Sequence, residues 1–96
     1  MFHLSFKTIY LLKNRDSEIF KEVQSGVIVL MMDASYLALK GEEISQKING
    51  GMSVYVLKDD VKRRGIQDLL ISEVQVIDYE EFIDLVLDSN VKTLNL

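Results

Sequence analysis

Four aspartates stand directly after apolar stretches of the chain, and they are the residues with the clearest potential for chemistry. They are Asp33, Asp59, Asp60 and Asp78. If the apolar stretches are parallel strands, their carboxyl ends meet at one edge of a sheet, where open α/β folds bind ligands. Several carboxylates at that edge could hold Mg²⁺ for phosphoryl chemistry. The alternative role is capping of the helical segment that follows each aspartate, and the residue pattern favours capping.

The other reactive residue types do not assemble an active site. His3 is the only histidine, which excludes a histidine–carboxylate relay and a multi-histidine metal site. The chain contains no cysteine, so disulfides, thiolate metal sites and a cysteine nucleophile are excluded. Gly50 and Gly51 precede a predicted strand rather than open a helix, so no phosphate-cradling loop is expected.

A basic cluster follows the pair Asp59 and Asp60. Its members are Lys58, Lys62, Arg63 and Arg64. These cations could contact an acidic partner surface or an RNA phosphate. Because the acidic residues come first and the basic ones last, the favoured role is to complement the dipole of a solvated helix.

The stretch Val54–Leu57 comes directly before the acidic pair and the basic cluster, so it positions both of them. It is β-branched, aromatic and aliphatic without polar alternation, which predicts a strand covered on both faces. Asp59 then offers an N-cap oxygen, and Gly65 offers the left-handed conformation that ends a helix.

The same order of strand, aspartate and helix recurs along the chain. Strands are predicted at 2–6, 27–32, 54–57, 74–77 and 91–94, and helices at 16/17–26, 34–38, 42–48, 59–64 and 79–87. Residues 7–15 could be strand, helix or loop, and 67–72 a loop or helical turn. This alternation predicts an α/β fold, a three-layer α/β/α sandwich with a mainly parallel sheet of four to five strands, in which 27–32 and 54–57 are central.

Composition limits the classes of function. A chain of 96 residues predicts one domain, 1–96. A net charge of −4 argues against a primary role in gripping nucleic-acid phosphates. The longest apolar run, Val27–Met32, is far shorter than the roughly 20 residues that span a bilayer, so we expect a cytoplasmic protein. Because 48% of the residues are apolar, we also expect a surplus patch that makes a homodimer or another small oligomer when the chain is alone.

Four blocks of sequence, taken together, resemble the DsrH/TusB family of the DsrE-like superfamily. They are MFH at the start, VLMMDASYLAL at 29–39, VYVLKDDVKRRGI at 54–66 and VIDYEEFIDLV at 76–86. The family block L-x-x-D-l-x-x-R-G is retained at Leu57, Asp60, Val61, Arg64 and Gly65, and the block iDY-x-x-F-v-x-L at Ile77, Asp78, Tyr79, Phe82, Ile83 and Leu85. The family's QDG corresponds to Met32, Asp33 and Ala34, so its glutamine and glycine are replaced.

The resemblance implies a subunit of a sulfur-relay complex, with DsrE/TusD-like and DsrF/TusC-like partners in a hetero-hexamer. Such complexes pass persulfide sulfur onward, toward 2-thiolation of a tRNA wobble uridine or in sulfur oxidation. Some members carry a cysteine in the first helix, near Ile19 or Phe20 here. Since this chain has none, the resemblance implies a scaffolding subunit without catalytic activity alone. We also expect no cofactor and no direct contact with nucleic acid or a membrane. The implied partner interface comprises Lys58, Asp60, Arg63, Arg64, Asp78 and Tyr79.

A second hypothesis remains open from the residues alone. It is a small Mg²⁺-dependent or phosphate-binding α/β domain that uses Asp33, Asp59, Asp60 and Asp78.

Overall fold

Five short strands form one parallel sheet in the structure, a computed structural model that describes residues 7–15, 17–39, 41–88 and 91–96. The strands are β1 (Lys7–Leu12), β2 (Val27–Leu30), β3 (Ser53–Leu57), β4 (Gln75–Ile77) and β5 (Val91–Asn95). Their order across the sheet is β4-β3-β2-β1-β5, and every neighbouring pair is parallel. The predicted parallel sheet is confirmed, and β2 and β3 are interior strands as predicted.

Helices lie on both faces of this sheet. They are α1 (Ser17–Glu22), α2 (Glu42–Asn49), α3 (Lys58–Arg64) and α4 (Tyr79–Leu87), with 3₁₀ helices at Met32–Ala38 and Gln67–Leu69. The chain steps across the sheet in one direction from β1 to β4 and then returns past them to β5. Because crossovers between parallel strands are right-handed, this reversal puts α1 to α3 on one face and α4 on the other.

Two separate cores show the resulting three layers. Phe20, Ile44 and Val61 pack with one set of strand residues, and Phe82 packs with the other. The first set includes Leu12, Ile28, Leu30, Val54 and Val56, and the second includes Ile9, Leu11, Val27, Val29 and Ile77. All four residues of β2 are buried, whereas β3 alternates between buried and half-buried positions. Two of the three half-buried residues of β3, Tyr55 and Leu57, pack on the α4 side of the sheet. The face that α4 covers is therefore less completely buried along β3.

Several element boundaries differ from the predicted ones. The predicted strand 2–6 lies outside the described residues, and the stretch that the sequence left open is β1. Helix α1 ends at Glu22 rather than at Gly26. Gly26 has a φ of 102°, and a Cβ there would lie 2.8 Å from the carbonyl oxygen of Thr8, so this glycine serves the close approach of β2 to β1.

The predicted strand 27–32 is also shorter in the structure. It ends at Leu30, because Met32 takes a left-handed conformation with a φ of 50° and begins a 3₁₀ helix. The segment predicted as a helix after Asp33 is therefore helical but of the tighter 3₁₀ type. None of the helices in the described ranges has both the length and the apolar content of a membrane-spanning segment.

Candidate functional site

The carboxylate of Asp60 joins the ends of two strands. Helix α3 begins directly after β3, so Asp60 lies in its first turn, where the residue is only 7% exposed. Its Oδ2 accepts a hydrogen bond of 2.9 Å from the backbone N–H of Met32, which follows β2. Its Oδ1 accepts a bond of 3.3 Å from Arg64 Nη1 and lies 3.8 Å from Arg63 Nη1. Both oxygens of this buried carboxylate therefore have partners, as a charge removed from water requires.

Arg64 extends this contact to a second aspartate. Its Nη2 donates a hydrogen bond of 3.1 Å to Oδ1 of Asp33 in the 3₁₀ helix Met32–Ala38. The side chain of Arg64 is 16% exposed, whereas that of Asp33 is 70% exposed. We call Asp33, Asp60, Arg64 and the backbone N–H of Met32 the Asp60 cluster. It fixes the start of α3 against the segment that follows β2.

Met32 is the strained member of this arrangement. It is the one residue other than glycine with a positive φ among those that the structure describes. A left-handed conformation costs an L-residue about 1 kcal/mol or more, and the bond from its N–H to Asp60 offsets part of that cost. This turn could not be predicted from the sequence, because methionine, unlike glycine or asparagine, is not typical of the left-handed region.

The aromatic ring of Tyr36 connects the loop after β1 to the same edge of the sheet. The guanidinium carbon of Arg15, in the loop after β1, lies 4.7 Å from the centroid of the Tyr36 ring. The guanidinium carbon of Arg64 lies 5.9 Å from the same centroid. Both are cation–π contacts. The sequence singles out neither Arg15 nor Tyr36, because contacts between distant segments leave no local pattern.

The geometry does not favour a metal site at the four aspartates. The guanidinium of Arg64 already lies between Asp33 and Asp60, where a cation would have to bind. Asp59 and Asp78 contribute no contact to the Asp60 cluster. In the described ranges, no group of three or more histidine, cysteine, aspartate or glutamate side chains is placed to hold a metal ion.

Capping, the favoured role, is confirmed for one aspartate. Asp78 is the N-cap of α4, where its Oδ1 accepts a bond of 2.8 Å from the N–H of Glu81. In return Oε1 of Glu81 accepts a bond of 3.3 Å from the N–H of Asp78, which completes a capping box.

The capping prediction was wrong for the other aspartates. Leu57 is the N-cap of α3 and Met31 that of the first 3₁₀ helix, and neither cap has a side-chain hydrogen bond. Both helices begin directly after the preceding strand or turn. Asp33 therefore lies inside the first turn of the 3₁₀ helix, and Asp59 and Asp60 lie inside the first turn of α3. Their negative charges still interact favourably with the positive end of the helix dipole.

The basic cluster divides into an exposed part and a buried part. Lys58, Lys62 and Arg63 are exposed, and the last turn of α3 is basic as predicted. Arg64 instead points into the Asp60 cluster. Gly65 ends the helix in the left-handed conformation that the sequence predicted, with a φ of 64°.

Lys47 of α2 contacts the end of α1, and the sequence did not predict this contact. The Nζ of Lys47 donates to the carbonyl oxygens of Lys21 and Val23 and lies 4.9 Å from the centroid of the Phe20 ring. Burial lowers the pKa of Lys47, and the nearby carboxylate of Glu43 partly opposes that change. The contact serves packing, because carbonyl oxygens of a helix end are its partners.

An open cleft lies beside Tyr36 at this edge of the sheet. Its volume is about 600 Å³, and its lining includes Arg15, Phe20, Tyr36 and Glu43. Glu43 lies 3.5 Å from the ammonium of Lys21, so its charge is partly neutralised. Among the described residues that line it, none supplies a thiol or an imidazole.

Comparison with known proteins connects this arrangement to a family. The profile of a family described as "DsrH like protein" matches residues 9–92. Protein TusB from Photorhabdus laumondii is 36% identical over 63 residues, which make up 66% of this chain and 59% of that protein. Protein TusB from Pectobacterium parmentieri is 31% identical over 72 residues, covering 73% of this chain and 76% of that protein. This chain therefore spans less than two thirds of the Photorhabdus protein.

Solved structures show the same fold. Protein Tm0979 from Thermotoga maritima, solved by NMR, has a TM-score of 0.62 and 27% identity, with coverage of 85% of this chain and 93% of that one. The crystal structure of the ychN protein from E. coli has a TM-score of 0.64, with coverage of 94% and 99%. Its identity is 19%, so this second likeness concerns the fold alone.

Proposed function

The chain belongs to the DsrH-like family, and from that premise we propose that it is a non-catalytic subunit of a sulfur-relay complex. DsrE/TusD-like and DsrF/TusC-like subunits are its partners. The complex passes persulfide sulfur between cysteines, toward 2-thiolation of a tRNA wobble uridine or in sulfur oxidation. The proposed location is the cytoplasm, and tRNA is not a direct ligand of this subunit.

The observation that carries this proposal is the absence of cysteine from a chain that keeps the family's fold and two of its sequence blocks. Persulfide transfer proceeds by attack of a thiolate on a sulfur atom. The thioethers of the chain's four methionines cannot form that thiolate. The sulfur must therefore travel on partner subunits, and this subunit contributes surfaces.

The Asp60 cluster supports a role in presenting such surfaces. It keeps Asp60 and Arg64 inside the edge while Lys58 and Arg63 remain exposed on α3. We propose that these exposed cations meet a partner while the two inner residues hold them in place. At the start of α4, Asp78 and Tyr79 are also exposed and complete the proposed interface.

Association of the isolated chain follows from the same proposal. Surfaces that normally meet partners are left uncovered when the chain is expressed alone, and large apolar side chains outside α4, such as Met32 and Val76, are exposed. The chain alone then forms a homodimer or another small oligomer. Sedimentation over a range of concentrations tests this, and a clean monomer at high concentration would contradict it.

The proposal is tested by reconstitution. The chain is mixed with the DsrE-like and DsrF-like subunits of the same genome, and native mass spectrometry is used to determine the composition of any complex. We expect all three subunits in one complex, and sulfur transfer to a downstream acceptor that falls when this chain is omitted. Absence of any complex, with transfer unchanged by omission, would contradict the proposal.

Paired variants then test the α3 part of the interface. Arg63→Glu reverses an exposed charge on α3, and Lys92→Glu makes the same change on β5. We expect Arg63→Glu to weaken assembly and Lys92→Glu to leave it close to that of the unchanged chain.

A further inference from the structure

Helix α4 carries an apolar strip that the sheet covers only at its middle residue, Ile83, and leaves exposed at both ends. Tyr79, Ile83 and Leu87 are spaced four residues apart and so lie along one flank of the helix. Tyr79 is 63% exposed and Leu87 75% exposed, the two highest values for large apolar side chains in the described part of the chain. Phe82, by contrast, is 8% exposed and belongs to the core beneath α4.

Carboxylates predominate among the charged residues around this strip in the sequence. Residues 75–87 include Asp78, Glu80, Glu81 and Asp84 but neither lysine nor arginine. Glu80 and Asp84 are exposed and lie on the solvent side of the strip. We call Tyr79, Glu80, Ile83, Asp84 and Leu87 together the α4 strip. An apolar line with an acidic border is complementary to an apolar surface that has a basic border.

The position of Asp84 gives independent support for an external contact. It lies in the last turn of α4, where the helix dipole presents its negative end. A carboxylate there does not stabilise its own helix, in contrast to Glu80 in the first turn. A basic surface placed against the last turn would compensate this charge.

The start of the strip is held in place before any partner arrives. The capping box between Asp78 and Glu81 fixes the first turn, and the Tyr79 ring lies 6.2 Å from that of Phe82. Fixed anchors reduce the entropy that is lost on binding.

The charges beside the strip also limit which partner can bind to it. If two copies of α4 packed antiparallel along their strips, Glu80 of one copy would lie near Asp84 of the other, and like charges would repel. A second copy of this chain is therefore disfavoured here, and any self-association uses another surface. Resting on the proposed function, we infer that the α4 strip is the docking surface for another subunit of the sulfur-relay complex, one that presents an apolar face bordered by lysine or arginine.

Two pairs of variants test this inference. Leu87→Ser removes an apolar anchor from the strip, and Leu69→Ser removes a leucine that is 57% exposed in the second 3₁₀ helix. Asp84→Lys reverses a charge on the strip, and Glu73→Lys makes a similar change in the loop before β4. All four positions are exposed, so the fold should persist, which melting curves would check.

The readout is the dissociation constant for the purified DsrE-like and DsrF-like subunits, measured by calorimetry at low and high salt. We expect Leu87→Ser and Asp84→Lys to weaken binding by roughly tenfold or more, and the two controls to stay within about twofold. Asp84→Lys should also reduce the salt dependence. Binding that is unaffected by both changes on α4 would overturn this inference alone. Failure of the unchanged chain to bind either subunit would overturn the inference together with the proposed function.

Discussion

The backbone N–H of Met32 donates a 2.9 Å hydrogen bond to the carboxylate of Asp60, although the two residues are 28 positions apart in sequence. This bond joins a strained turn after β2 to the buried first turn of α3. Arg64 donates hydrogen bonds to the same carboxylate and to Asp33. The guanidinium of Arg64 and the N–H of Met32 therefore both stabilise the buried charge of Asp60. The contact between Met32 and Asp60 holds the first turn of α3 at the carboxyl edge of the sheet.

Loss of the Asp60 carboxylate should destabilise the fold. In Asp60→Ala, the guanidinium of Arg64 loses its buried partner and the N–H of Met32 loses its acceptor. We expect the free energy of unfolding to fall by about 3 kcal/mol. Asp59→Ala, at the exposed neighbouring position, should change it by less than about 0.5 kcal/mol. Urea unfolding followed by circular dichroism measures both, and equal effects would contradict the structural role of Asp60.

Relief of the backbone strain at Met32 should raise the free energy of unfolding. Met32→Gly keeps the N–H that Asp60 needs and removes the Cβ that disfavours a φ of 50°. We expect the protein to be more stable by about 0.5 to 1 kcal/mol. Met31→Gly, at an extended residue with a φ of −130°, should instead lower stability by about 1 kcal/mol. Thermal melting of the pair separates the two cases, and a loss of stability in both would argue against the left-handed turn.

Two glycines with similar φ values should respond differently to alanine. Gly51 has a φ of 99° and open space around it, so Gly51→Ala should cost only backbone strain of about 1 to 2 kcal/mol. Gly26 has a φ of 102°, and its added methyl would also lie 2.8 Å from the carbonyl oxygen of Thr8. We expect Gly26→Ala to cost at least about 1 kcal/mol more than Gly51→Ala in urea unfolding. The reverse order would show that β1 and β2 do not approach as closely as described.

The two ends of α4 should respond oppositely to removal of an aspartate. Asp78→Ala breaks the capping box and should lower the free energy of unfolding by about 1 kcal/mol. Asp84→Ala removes a negative charge from the last turn and should raise it by about 0.3 kcal/mol. Denaturant titration of the two variants checks the signs, and stabilisation by Asp78→Ala would be incompatible with the capping box.

The sequence predicted the sheet and its helices because local signals agreed with one another. The apolar runs around Val29 and Val56 and the capping pattern at Asp78 each act within a few neighbours. The sequence did not predict the cluster that joins Asp60 to Met32, nor the ring contact of Arg15 with Tyr36. Those contacts arise only once the sheet brings three strand ends together, so no local spacing encodes them. The aspartates were therefore identified correctly as residues of one edge, while their partners were not.

The most direct test of the central claim follows the sulfur atom itself. The purified chain is supplied with a persulfide donor that carries radiolabelled sulfur, alone and together with its DsrE-like and DsrF-like partners, and the polypeptides are separated after denaturation without reducing agent. Because this chain has no cysteine to form a persulfide, we expect covalent label only on a partner, with partner loading that falls when this subunit is omitted. Covalent label retained on this chain would contradict the account.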